Sequence, residues 1–347
     1  MNLSNSERCL KKVVALAGGV GGARLADGLA RTMAGWPHPG KLTVIVNIGD
    51  DFEHLGLQIS PDLDTVCYTL AGLGNPETGW GIADESYRVI TEIDQMGGPT
   101  WFRLGDRDLA THLVRTGRLK AGDSLSQITS DFCRLWGINS VILPVSDDRV
   151  STVVYTEGGN LPFQEYFVHQ RCEPIVQGFR FVGVSKAWPA PGVLEAIEEA
   201  DVMVICPSNP WVSIDPILAV PGVQETILKK RDAGMPVIAV SPIIGGKAIK
   251  GPAAKIFTEL GIEPTALAVA HHYGSLLSGF VIDQADAGLA EQFIRETGSL
   301  VEDSDGRVQG SLPLLIVDTM MRSIDIRCSL GQNVLDFAET LVRKELE

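Results

Sequence analysis

The chain has no cluster of basic residues. Its 29 Lys and Arg stand against 43 Asp and Glu, and the net charge of −14 is spread along all 347 residues. That distribution argues against a protein that binds nucleic acid by neutralising phosphates. Any anionic ligand has to be held by locally placed cations, backbone N–H groups or a metal ion. There is no C-x-x-C pair and no paired Cys/His spacing, since Cys9, Cys67, Cys133, Cys172, Cys206 and Cys328 lie far apart. A zinc site or disulfide frame is excluded on that spacing, and the thiols read as reduced and mostly core. No apolar run approaches bilayer-spanning length, and the N-terminal MNLSNSERCLKK lacks the apolar stretch of a signal peptide. The expectation is a soluble cytoplasmic protein with no membrane partner. Internal repeats, low-complexity segments and disordered linkers are also missing.

A hydrophobic content of 45% is enough for a sizeable core. Apolar, β-branched runs recur at Val13–Ala17, Leu42–Asn47, Val141–Val145, Val202–Cys206, Val237–Val240, Ala266–Ala270 and Leu314–Val317. None alternates with polar residues, so each is expected to be a strand buried on both faces, as in a parallel sheet. Helical segments lie between them. In Asp123–Trp136, for example, Leu125, Ile128, Phe132 and Leu135 repeat at three- and four-residue spacing and Gly137 supplies the stop. The alternation predicts one Rossmann-like, doubly wound α/β domain over residues 1–347 with a mostly parallel sheet. The rhythm breaks at 151–184, where GGN separates two β-rich runs. A small β-rich insertion, with some helix, is expected there.

The stretch VVALAGGVGGARLADGLA (Val13–Ala30) is an apolar run, a glycine turn and a helical pattern. As a dinucleotide fingerprint it fits at Gly19 and Gly21 but places Arg24 where the third small residue belongs. As a Walker A loop it lacks G-K-[ST]. A strand, a turn that lets backbone approach a ligand, and a helix N-terminus that favours an anion remain. A diphosphate is the expected occupant.

The second strand runs into NIGDDFEHLGLQISPDLDTV. Asp50 and Asp51 fall at its carboxyl end, where ligands bind in open α/β sheets. Ser60 reads as an N-cap and Pro61 as the first helical residue, with Asp62 and Asp64 in the first turn. Two residues apart on a helix point in different directions, so at most one of Asp62 and Asp64 is expected to face a site formed with Asp50 and Asp51. Carboxylates beside a diphosphate need a hard cation between them, which points to Mg²⁺. Asp51 and Asp64 are the residues expected to serve that metal or the attacking group.

Further along, WFRLGDRDLATHLVRTGRL predicts a helix starting at Asp106, with Arg103, Asp106, Arg107, Asp108 and Arg115 reading largely as a surface ion-pair network and His112 as a structural histidine. PSNPWVSIDP places Ser208, Asn209 and Ser213 after another strand, as a second ligand loop. AVSPIIGGKAIKGPAAK offers Lys247 as a counter-charge for phosphate. Trp101, beside Arg103, is a candidate lining residue for an aromatic ligand.

In this order and spacing, GGVGGARL, NIGDDFEHLGLQISPDLDTV, WFRLGDRDLATHLVRT, ILPVSDD, PSNPWVSI and AVSPIIGGKAIKGPAAK resemble the 2-phospho-L-lactate transferase family of coenzyme F-420 biosynthesis. The resemblance runs from Val13 to Lys255 and more weakly to the C-terminus, where VDTMM also fits. It implies a Mg²⁺-dependent transfer of a phospho-three-carbon-acid unit, of the 2-phospholactate or phosphoenolpyruvate type, from its guanosine diphosphate ester to the ribityl hydroxyl of the deazaflavin Fo, with GMP leaving. On this sequence Gly18, Gly19, Val20, Gly21 and Gly22, with Ser208, Asn209, Pro210 and Ser213, would hold the nucleotide. Asp51 and Asp64 would hold metal or orient the hydroxyl, and Asp50, Asp64 and Arg103 would contact Fo. Changing Asp64 to Asn is expected to collapse turnover and leave folding intact. A homodimer is the family-based and base-rate expectation.

Two other classes compete. Nucleotide-sugar-binding regulators share a similar turn and fold but tend to carry D-D-G-G-S-S after the second strand, where this chain has Asp50-Asp51-Phe52-Glu53-His54 and then SPDLDT. An NAD-dependent oxidoreductase suffers from the Arg24 substitution. Stabilisation by Fo and GDP with Mg²⁺, by UDP-sugars or by NAD(H) separates the three.

Overall fold

The computed structural model describes residues 10–38, 40–248, 251–297 and 312–346. Cys9 and the rest of residues 1–9, most of the N-terminal segment judged above to lack a signal sequence, lie outside the described residues. The strands, in chain order, are β1 (Lys12–Ala17), β2 (Lys41–Val46), β3 (Phe52–His54), β4 (Leu57–Ile59), β5 (Val141–Pro144), β6 (Ser151–Thr156) and β7 (Gly159–Pro162). They continue with β8 (Val176–Val182), β9 (Val202–Ile205), β10 (Val237–Val240), β11 (Ile243–Ile244), β12 (Lys247–Ala248), β13 (Gly279–Asp283) and β14 (Leu314–Val317).

Seven of them form one sheet in the order β14-β13-β10-β9-β1-β2-β5, every pair parallel. The fully apolar strands β9 and β10 are buried along their whole length, as continuous hydrophobic runs require. Helices flank the sheet, so the Rossmann-like α/β arrangement expected from the sequence is the observed one. The chain first builds outward from β1 through β2 to β5, then returns to the other side of β1 with β9. That reversal opens a crevice beyond the carboxyl ends of β1 and β9. The glycine turn follows the first of these strands and the Ser208 loop the second.

One expected strand is a helix. Ala266–Ala270 begins the helix Ala266–Tyr273, and the strand of that region is β13. A short apolar run does not by itself distinguish strand from buried helix. Here alanine favours helix, and the Thr265 hydroxyl caps the first turn by accepting from Ala268 N at 3.0 Å.

The first helix, α1 (Gly19–Ala34), is held from behind by the C-terminal helix Ile324–Leu346. The contact is backbone to backbone: a Cβ on Gly28 would lie 2.1 Å from the Arg327 carbonyl oxygen. Four further helices build the site side of the molecule: α2 (Pro61–Leu70), α3 (Arg88–Gln95), α4 (Asp106–Ala121) and α5 (Leu125–Leu135). The last is the helix expected over 123–136, opened by a capping box between Ser124 and Gln127. Its packing brings Cys133 within 3.9 Å of Cys67 on α2, so two of the thiols far apart in sequence are neighbours in space.

The break at 151–184 is a three-stranded antiparallel sheet, ordered β7-β6-β8. Glu157 and Gly158 make its first turn, and Gly159, at φ +118°, opens β7. Between β7 and β8 the chain forms a π-helical turn, Glu165–His169. This small sheet reaches across the sheet's carboxyl edge. Thr152 N donates to Gly49 O near β2 (2.7 Å), while Val176 N donates to Glu259 Oε2 (3.0 Å) on the helix that follows β12. It therefore forms a roof over the crevice.

Candidate active site

The glycine turn is built by close packing. Gly18 ends the strand as an extended N-cap and Gly19, at φ +62°, turns the chain into α1. A Cβ on Gly21 would sit 2.2 Å from Pro207 O, and one on Gly22 would sit 2.6 Å from Ser208 Oγ. The absent side chains let the Ser208 loop lie directly on the turn. Ser208 Oγ then accepts from Gly18 N (3.2 Å) and donates to Gly18 O (2.7 Å). Asn209 caps a second π-helical turn, Pro210–Ile214, by accepting from Trp211 N and Val212 N through Oδ1. Its Nδ2 is buried without a partner among the described residues. Gly18, Gly19, Val20, Gly21, Ser208, Asn209 and Ser213 all line one cavity of about 750 Å³. Gly22 and Pro210, also expected at the nucleotide, pack behind its wall.

The first donor of α1 is already engaged. Gly19 N donates to Asp62 Oδ1 at 2.7 Å, so a carboxylate from α2 occupies the position an anion would take. Asp62 Oδ2 and Asp50 Oδ1 both accept from the Asn47 amide nitrogen, at 2.9 and 3.1 Å. Burial raises the Asp50 carboxyl well above the usual range, and the neighbouring Asp62 adds to the rise. Asp62 itself is pushed up to about 6 by burial, against the pull of its Asn47 and Gly19 hydrogen bonds.

Asp62 and Asp64 both line the cavity, contrary to the expectation that at most one would face it. Pro61, Asp64, Thr65 and Tyr68 line it along one flank of α2, while Asp62 reaches it at the helix's N-terminal end, where it meets Gly19. Ser60 also departs from its expected role. Its hydroxyl does not cap α2 but donates to Asp51 Oδ2 at 2.7 Å. Asp51 lies outside the residues that line the cavity, with Oδ1 buried and unpartnered. Burial raises its carboxyl well above the usual range, opposed by the Ser60 hydrogen bond and Arg115.

Helix α4 supplies what the sequence reading assigned to the surface. Arg115, 3% exposed, makes a two-pronged ion pair with Asp64: one guanidinium nitrogen lies 3.0 Å from Oδ2 and the other donates to Oδ1. Burial works against the guanidinium charge, but Asp64 more than offsets it and raises the Arg115 pKa. The nitrogen that meets Asp64 Oδ2 also lies 3.2 Å from His112 Nδ1. Because guanidinium only donates, Nδ1 accepts and the imidazole proton sits on Nε2, which faces Asp108 Oδ1 at 3.3 Å. Tyr68 OH donates to the same oxygen at 2.7 Å. Burial disfavours the Asp108 carboxylate, yet the His112 and Tyr68 contacts and Arg115 hold its pKa below the usual range. Asp64, Asp108 and His112 each place a ligand atom within 4.8 Å of the others, so they could hold a metal ion. Asp108, His112 and Arg115 follow the i, i+4 and i+3 steps of one helix face, the signal by which they could have been found together.

The far end of the cavity is aromatic. Trp80, Trp101, Phe102, Phe163 and Phe167 line it, together with Arg103, whose guanidinium lies 4.0 Å over the Tyr87 ring. Trp101 stacks on His169 of the roof, with centroids 5.2 Å apart and planes 13° apart. Lys247 does not reach the cavity; it sits exposed on the β11–β12 hairpin.

A parallel sheet whose switch-point crevice joins a glycine turn to buried carboxylates is the layout of an α/β enzyme acting on a phosphorylated ligand. The chain belongs to the family described as 2-phospho-L-lactate transferase CofD, whose model matches residues 13–308, and it is a transferase of that family. A phosphoenolpyruvate transferase of Streptomyces griseus is 46% identical over 94% of this chain and 98% of its own. One from Thermobifida fusca is 46% identical over 80% of this chain and 87% of its own. A UPF0052-family protein of Bacillus halodurans shares the fold, with a TM-score of 0.51 at 19% identity over 81% of this chain and 85% of its own. No described helix is long and apolar enough to cross a membrane.

Proposed function

We propose that the enzyme transfers a phosphoenolpyruvate-type unit from its guanosine diphosphate ester to the ribityl hydroxyl of Fo, releasing GMP, in coenzyme F-420 biosynthesis. The observation that carries this reading is the single cavity shared by the glycine turn, the carboxylates and the aromatic end. The names of the relatives favour the enol acid over the lactyl form.

In this reading the crevice between β1 and β9 takes the guanosine diphosphate, with the unclaimed Asn209 Nδ2 donating to one of its oxygens. Among the described residues the buried carboxylates outnumber Arg115, the one buried cation beside them, and Asp51 Oδ1 has no partner, so the residues fit a hard cation. Asp64, with Asp108 beside it and Asp51 behind it, would hold Mg²⁺, while His112, whose Nδ1 accepts from Arg115 and whose proton sits on Nε2, would orient Asp108. Bound there, Mg²⁺ would neutralise charge on the reacting diphosphate. Arg115 fixes the Asp64 carboxylate in one orientation, ready to hold either the metal or the acceptor hydroxyl. Asp50 and Arg103 are the remaining proposed contacts to Fo.

Incubation with Fo, Mg²⁺ and the guanosine diphosphate ester of phosphoenolpyruvate, phospholactate or phosphoglycerate, followed by mass analysis, tests the reading. The expected product carries the enol acid. Absence of product with every donor overturns it.

The carboxylates also give a pH signature. Folded Asp62 keeps its proton up to about pH 6, whereas an unperturbed Asp gives it up near 3.8. Its contribution to stability is full below about pH 4 and is lost as pH rises to about 6. Asp50 and Asp51, also raised, act in the same direction. Added Mg²⁺ is therefore expected to raise the melting temperature more at pH 7 than at pH 5. Equal shifts at both pH values in thermal unfolding would contradict a cation placed beside these carboxyls.

A further inference from the structure

Each of the two π-helical turns, Glu165–His169 and Pro210–Ile214, is preceded by a carboxamide that lines the cavity: Gln164 and Asn209. π-Helix is rare and concentrates at functional sites. The two amides are committed differently. Asn209 spends its oxygen on backbone N–H groups and leaves only Nδ2 free, a donor suited to a phosphate or carbonyl oxygen. Gln164 is 5% exposed, makes no side-chain cap, and has no hydrogen-bond partner among the described residues. Its amide therefore offers both a donor and an acceptor to the cavity. A ligand with the complementary pair could replace the water there.

We propose that Gln164 is a specificity-determining residue that reads the imide edge of the acceptor's flat heterocycle, its oxygen accepting from the ring N–H and its nitrogen donating to an adjacent ring carbonyl. The claim rests on the acceptor being a deazaflavin. Guanine presents similar lactam chemistry, but Gln164 belongs to the acceptor end. It sits between Phe163 and the π turn, and His169 of that turn stacks on Trp101, two residues before Arg103. The neighbouring Phe163 and Phe167 rings, 11° from parallel, give that end an apolar face on which a tricyclic ring can lie. The roof then selects the acceptor, and the crevice below it binds the nucleotide.

The test measures Fo affinity by fluorescence quenching, GDP affinity by calorimetry with Mg²⁺, and steady-state kinetics for Gln164→Leu and the near-isosteric Gln164→Glu. Both variants should raise the KM for Fo about tenfold or more, as loss of a paired donor and acceptor would. GDP affinity should stay within about twofold, and kcat at saturating Fo should be largely kept. N3-methyl Fo should bind the native enzyme weakly, with little further loss in Gln164→Leu. Unchanged Fo affinity in a folded variant overturns the proposal while the transfer reaction stands. A loss confined to GDP also overturns it, because the amide would then read guanine. A native enzyme that neither binds nor converts Fo removes the reading on which the proposal rests.

Discussion

Arg115→Met is expected to abolish turnover and to cost about 3–5 kcal/mol of stability, the range for breaking a buried ion pair on one side. Arg115 is the counter-charge for Asp64 and acts electrostatically on Asp51 as well, so its loss leaves carboxylates buried without a cation. It also releases His112 Nδ1, which fixes the imidazole tautomer facing Asp108. Asp64→Asn strands the guanidinium in the same way. The structure therefore revises the expectation that this change spares folding, because turnover should collapse and stability should fall with it. The double variant Asp64→Leu, Arg115→Met removes both charges and should regain much of the stability with none of the activity. Urea unfolding gives the stability and product mass the turnover. If Arg115→Met unfolds at the native midpoint, the pair is not the buried anchor that its geometry indicates.

What the sequence revealed and what it hid follow from the range of the interactions. Six of the seven sheet strands, the glycine turn and the loop after β9 are set by runs and turns a few residues long, and they were legible. Ala266–Ala270 was misassigned because five apolar residues do not carry a period, and β13 was missed because its first residue is a glycine. The acids of NIGDD and SPDLDT could be named, but not their partners. Asp62 bonds Gly19 across 43 positions and Asp64 pairs with Arg115 across 51. Arg115 read as a surface charge because nothing local says that α4 lies against α2. Gln164 was silent for the same reason: a lone glutamine in a β-rich stretch carries no signal until the roof closes over the crevice.

Gly21→Ala and Gly117→Ala are expected to act in opposite directions, although both place alanine within a helix. Alanine is favoured over glycine there by about 1 kcal/mol. At Gly117 on α4 nothing lies within 4 Å of the added Cβ, so the variant should be more stable than the native protein by about 0.5–1 kcal/mol. At Gly21 the Cβ would meet Pro207 O at 2.2 Å, and the obstacle is backbone that cannot rotate away. The 207–209 loop has to retreat, and with it go the Ser208 bonds to Gly18 and the aim of Asn209 Nδ2. Overpacking of this kind costs about 1–3 kcal/mol, which outweighs the helix preference. The expected result is a modest loss of stability with a larger loss of GDP affinity, about 10- to 100-fold by calorimetry with Mg²⁺, because the displaced groups are the ones proposed to hold the diphosphate. If Gly21→Ala binds GDP within about twofold of the native enzyme, the contact between turn and loop does not shape the nucleotide site. A loss in Gly21→Ala alone would show that glycine serves here to let two strand ends approach, because chain flexibility would be reduced in both variants.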